Sequence, residues 1–264
     1  MGRKWIALLL VLLLLAPSLA AGDGMNLNVY NGGFFSMKVP EGWTLLTGGK
    51  YTSFCFKILD PDEPGTQVFL YGDLVPFHKS ETSRNYWKSL NPVAGQAPVL
   101  QTYDIIGILN CWNETIDFMV LNQFAPVYPT LSNADFLGGT FFRSALYSGL
   151  AYSESVCSIT CDTPDQTGCR MTVAGTLVDF DRTNTYGGNN FFNIINLCGV
   201  IAPADRYEEV AGPLLECVAS LTFTDAYIQE AKLNLEFMAS NADRRTYLNF
   251  LAEQMQSCYA TYGK

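Results

Sequence analysis

Hydrophobic positions recur along this chain with two different periods, and the change between them divides it. In Gly32 to Trp43, reading GGFFSMKVPEGW, Phe35, Met37 and Val39 alternate with Ser36 and Lys38 before Pro40, Glu41 and Gly42. This alternation predicts a half-buried strand from about Leu27 to Val39, stopped by the Pro-x-Gly turn, with Phe35 and Trp43 as core residues. A second run, Thr52 to Leu59, ends in the turn sequence DPDEPG (60–65), and a third, Gln67 to Leu74, pairs with it as a hairpin.

The period then changes. Ser80 followed by Glu81 is a helix start, and Tyr86, Trp87 and Leu90 form the face expected to be buried before Asn91-Pro92 ends the helix. Leu109 to Phe124 predicts a second helix. Four strands are expected next, over Gly139–Tyr147, Ala151–Thr160, Arg170–Phe180 and Phe191–Ile201. Loops CDTPDQTGC (161–169) and NTYGGNN (184–190) join the last three. Arg206 to Ser220 reads as a helix, with Gly212-Pro213 marking a break or its true first turn. Leu221 to Phe223 is a short strand. Thr224-Asp225 then caps an all-helical end, jointed at Ser240 to Asp243.

Composition adds compartment and excludes partners. Arg3 and Lys4, the apolar run Trp5 to Ala16 and the small residues Ser18-Leu19-Ala20 have the form of a secretory signal over residues 1–20, followed by a leader over 21–27. The mature chain of about 244 residues is expected outside the cytoplasm, without an integral membrane segment. Its formal charge moves from -9 to about -11 once the two basic residues are removed. An acidic chain without basic clusters excludes nucleic acid and anionic membrane surfaces as partners. Eight cysteines in an exported chain permit disulfides, although several lie in apolar runs such as Phe54-Cys55-Phe56.

Two short stretches carry a resemblance. GGFFSMKVPEGW and the closing Val218-Ala219-Ser220-Leu221-Thr222-Phe223 are similar to the two ends of PsbP-like (Mog/PsbP-type) domains. The segments KILDPDEPGTQVFLYG (57–72) and PFHKSE (76–81) resemble exported bacterial members of unknown role. The resemblance implies an α+β fold, an antiparallel β-sheet of about five to seven strands with helices packed on both faces as an α/β/α sandwich. It covers residues 28–224, and residues 225–264 form a C-terminal helical extension. Members of this family mostly act as binding or accessory modules and share no catalytic motif.

The candidate chemistry is thin. His78 is the only histidine, and it reads as a surface residue before a helix cap rather than a base. Asp60, Asp62 and Glu63 could ligate calcium, but two prolines fit an ordinary turn. Cys161 and Cys169 flank a hairpin loop as a disulfide, as free thiols or, with Cys157, as metal ligands. Asn113-Glu114-Thr115 is a glycosylation sequon inside a predicted helix. Tyr186, Asn189 and Asn190 offer aromatic and amide groups for a ligand. No catalytic residue, metal or cofactor is expected. The leading expectation is an exported non-catalytic binding or accessory protein for an unknown protein or small ligand. The alternatives are an exported hydrolase using carboxylates in a groove, and a structural surface protein.

Overall fold

The computed structural model describes residues 25–179, 191–236 and 238–263. Its centre is an antiparallel sheet of seven strands: β3 (Thr44–Gly48), β4 (Cys55–Leu59), β5 (Gln67–His78), β6 (Ser132–Phe141), β7 (Ala151–Asp162), β8 (Cys169–Asp179) and β9 (Phe191–Pro203). Their spatial order is β3-β4-β5-β9-β8-β7-β6, every neighbour antiparallel. A second sheet joins β1 (Leu27–Asn31), β2 (Phe35–Pro40) and β10 (Thr222–Phe223) in the order β1-β2-β10. The fold is α+β, with helices on both faces of the large sheet.

Alternation along the central strands divides the core. Val68 and Leu70 of β5 join Val156, Ala174, Cys198 and Val200 on one face, under α4 (Tyr207–Ala219) and α6 (Asn241–Tyr262). Phe69 and Tyr71, with Cys157, Ile159, Met171 and Val173, face α2 (Ile105–Asn110) and α3 (Trp112–Leu121). Two buried faces explain why β8 and β9 read as almost continuous apolar runs rather than as alternation. The small sheet packs on the α4–α6 side, where Phe35, Met37 and Phe223 are buried and Trp43 is half-buried against them. Ser36 pairs with Thr222 and Phe35 with Phe223, so the two end motifs of the chain are strand partners.

Several expectations are corrected. The first strand is a hairpin, folded at Gly32-Gly33 with Gly33 at φ +85°, and Thr44–Gly48 is a strand that its sequence conceals. The single helix over 109–124 is two, broken at Cys111, whose φ of -111° and ψ of 23° leave the helical region. The strand expected at 139–147 lies earlier, at Ser132–Phe141. Helix α4 neither breaks nor begins at Gly212-Pro213; it runs through both from Tyr207. Helix α1 (Glu81–Leu90) forms with Ser80 as its N-cap, accepting from the Ser83 amide. Its expected face is wrong: Tyr86 and Leu90 are each 59% exposed. Ser83 is buried instead, and Trp87 packs its ring on Phe191 at 5.0 Å. Helix α5 (Asp225–Leu233) has the predicted cap, Thr224, accepting from the Tyr227 amide. No described helix is long and apolar enough to cross a membrane.

Candidate functional site

At one end of the α4–α6 core the sheet and the C-terminal segment part to leave a cavity of about 350 Å³. That size falls within the range of small-molecule sites. Its floor comes from β5 and β9, where both strands are irregular. The register of β5 on β9 shifts between Leu74 and Pro76, and that of β8 on β9 between Ala174 and Thr176. Asn196 takes φ +51° at the second of these. Asparagine tolerates the left-handed region better than most residues, and a bulge of this kind re-aims the side chains around it. One rim is the 3₁₀ turn Tyr51–Ser53, which approaches β5 at Gly72. A Cβ there would stand 2.3 Å from the Thr52 carbonyl oxygen. The opposite rim is Met238, Ala239 and the start of α6.

The walls are mostly apolar: Phe54, Leu70, Ile195, Leu221, Phe223 and Leu248. Polar side chains interrupt them. Asp73 accepts from Asn193 Nδ2 at 3.0 Å. Burial pushes its carboxyl up to about 6, against the Asn193 hydrogen bond, with the negative charge of Glu236 adding to the rise. Asn196 Nδ2 donates to the Tyr147 hydroxyl at 2.9 Å. Tyr247 shares a hydrogen bond of 3.1 Å with Thr176, which also donates to Glu154. Arg244 lies over the Phe223 ring at 4.5 Å and donates to Asn241 Oδ1 and the Ala239 carbonyl. Burial pulls its guanidinium below the ordinary arginine range.

Acid–base chemistry has little to work with here. Asp73 is the one carboxylate among the described lining residues. Glu154, the fully enclosed acid nearby, is held by the Ser144 amide and hydroxyl and by Thr176. A two-carboxylate glycosidase arrangement needs a second group facing the same space.

The residues singled out from sequence stand elsewhere. His78 is fully buried, not on the surface. Its Nε2 donates to the Ala94 carbonyl at 2.8 Å, leaving Nδ1 to accept from Ser83 Oγ at 3.1 Å. Burial lowers its pKa, and it does not line the cavity. Glu63 accepts from Thr66 and from Arg206 at 2.6 Å, while Asp60 closes an Asx turn on the Asp62 amide. The acidic turn therefore holds the start of α4. The Asn113 carboxamide is engaged twice with the Leu131 backbone, donating at 2.8 Å and accepting at 2.9 Å. Cys161 and Cys169 are opposite partners on β7 and β8, and all eight cysteines are buried thiols. Burial pushes Cys55, Cys111 and Cys161 up to about 12, far from the thiolate a nucleophile requires. Tyr186, Asn189 and Asn190 lie outside the described residues.

No family model matches the chain. No curated protein matches it either. Among solved structures, the solution structure of the cyanobacterial PsbP protein (CyanoP) from Synechocystis sp. PCC 6803 is similar over 77% of this chain and 96% of that one. The identity is 10% and the TM-score 0.33.

Proposed function

We propose that this chain is an exported, non-catalytic binding module that takes a small, largely apolar molecule into the cavity between β5, β9 and α6. The observation that carries the reading is the cavity itself, with apolar walls and a few polar side chains delivered from separate segments. Buried thiols, an inaccessible histidine and a single lining carboxylate give a hydrolase no support. Export rests on the signal-like segment before residue 21. Membership of the PsbP-like group rests on the two end motifs, and the pairing of Phe35 with Phe223 is consistent with their acting as one unit.

A thermal-shift screen of the full chain against small apolar alcohols, amides and carboxylic acids tests the reading, because a ligand that binds only the folded state raises Tm. The expected outcome is stabilisation by members of the panel, lost in Ile195→Phe, which fills the cavity. No stabilisation by any compound, or equal stabilisation of the filled variant, would sink it.

A further inference from the structure

Resting on that reading, the geometry points to a monocarboxylate with an apolar body as the occupant of the cavity, its carboxylate held by Arg244 and Tyr147. Arg244 is a cation in a position that repels one. It belongs to the first turn of α6, whose N-terminal end carries positive partial charge. It is half-buried among apolar walls. Its partners, Asn241, the Ala239 carbonyl and the Phe223 ring, are all neutral.

The nearby acids have other partners. Asp73, the carboxylate lining the same cavity, accepts from Asn193, Asp243 accepts from the Ser240 hydroxyl within the helix cap, and Glu154 is enclosed by Ser144 and Thr176. No ion pair joins Arg244 to any described carboxylate. Two of the five guanidinium N–H groups are used, which leaves three to donate. Tyr147 supplies a further donor beside it: its oxygen accepts from Asn196, so its proton is free to point into the cavity. A guanidinium fork and a phenolic O–H together match a carboxylate. The apolar walls account for the rest of the molecule and strengthen the charged hydrogen bonds by excluding water.

Calorimetry on the full chain at pH 7.5 with 3-phenylpropionate, octanoate and their neutral amides tests this. Each acid is expected to bind roughly 10-fold or more tightly than its amide, the usual strength of a hydrogen bond to a charged group. Arg244→Gln should abolish that preference while leaving amide binding in place, and Arg244→Lys should keep part of it. Near-UV circular dichroism checks the fold of each variant. Tyr147→Phe, which removes only the hydroxyl, should weaken the acids more than the amides whether or not Arg244→Gln folds. Amides binding as tightly as acids would overturn the carboxylate assignment and leave the cavity reading standing. So would a preference that survives both Arg244→Gln and Tyr147→Phe. Failure of acids and amides alike would remove both.

Discussion

Asp73 is the residue whose chemistry is most altered by its setting, and its effect on stability has a definite sign. Its carboxyl rises from 3.8 in the unfolded chain to about 6 in the fold, chiefly through burial. Below about pH 4 both states hold the proton and burial carries no penalty. Between these values the folded state keeps a proton the unfolded state has lost, so stability falls as pH rises. Above about pH 6 the full penalty applies, at most about 3 kcal/mol. Asp73→Asn keeps an acceptor for Asn193 and should be about 1 to 3 kcal/mol more stable than the wild type at pH 7.5. That advantage should vanish near pH 4, which urea unfolding at both pH values would show. His78 acts in the opposite sense, its lowered pKa withdrawing stability as pH falls through 6.5, so the comparison must be between variant and wild type. Equal stability of Asp73→Asn and wild type at pH 7.5 would contradict the assignment. A signal for this residue was present in the chain: one acid inside the apolar run VFLYGDLVPF. Asn193 and Asn196 interrupt FFNIINLCGVI in the same way, only a few residues beyond the amides that the loop sequence favoured.

Among the elements, those set by local chemistry were legible and those set by tertiary contact were not. The β4–β5 hairpin, the Ser80 cap and the Thr224 cap follow from turn and capping residues alone. The division of α2 from α3 does not. It coincides with two distant clamps, Trp112 Nε1 donating to the Pro129 carbonyl and Asn113 holding Leu131. The face of α1 that meets the sheet cannot be read from helical spacing alone, and it proves to carry Ser83 rather than Tyr86 and Leu90. The 3₁₀ turn at Tyr51–Ser53 depends on Gly72, whose amide donates to the Phe54 carbonyl at 3.0 Å. Gly72→Ala would place a methyl group against backbone at 2.3 Å and 2.9 Å. It should cost about 1 to 3 kcal/mol in chemical denaturation and loosen the cavity rim. A variant as stable as wild type would show that the turn is not held by this approach.

For the whole molecule, α6 is part of the core that holds the sheet. Tyr247, Leu248, Leu251 and Met255 are all buried. Full burial of side chains of this size contributes about 1.5 to 3 kcal/mol each. Four of them approach the entire net stability of a typical domain, about 5 to 15 kcal/mol. Deleting residues 241–264 should therefore abolish the cooperative thermal transition, followed by circular dichroism. A sharp transition in the truncated chain would show that α6 is dispensable. The cavity was invisible in the sequence for the same reason the core was only partly visible. Its walls are drawn from segments separated by long stretches of chain, from Tyr51 to Leu248.

Closure of the small sheet sets an order in time. The Ser36 hydroxyl meets the Thr222 hydroxyl at 2.8 Å across 186 residues of sequence. At ordinary ribosomal speeds, about 5 to 20 residues per second, β2 leaves the ribosome roughly 10 to 40 s before β10 exists. Throughout that interval Phe35 and Ser36 have no partner strand on their β10 side. The nascent chain therefore stays unable to close its small sheet until Thr222 and Phe223 have been made.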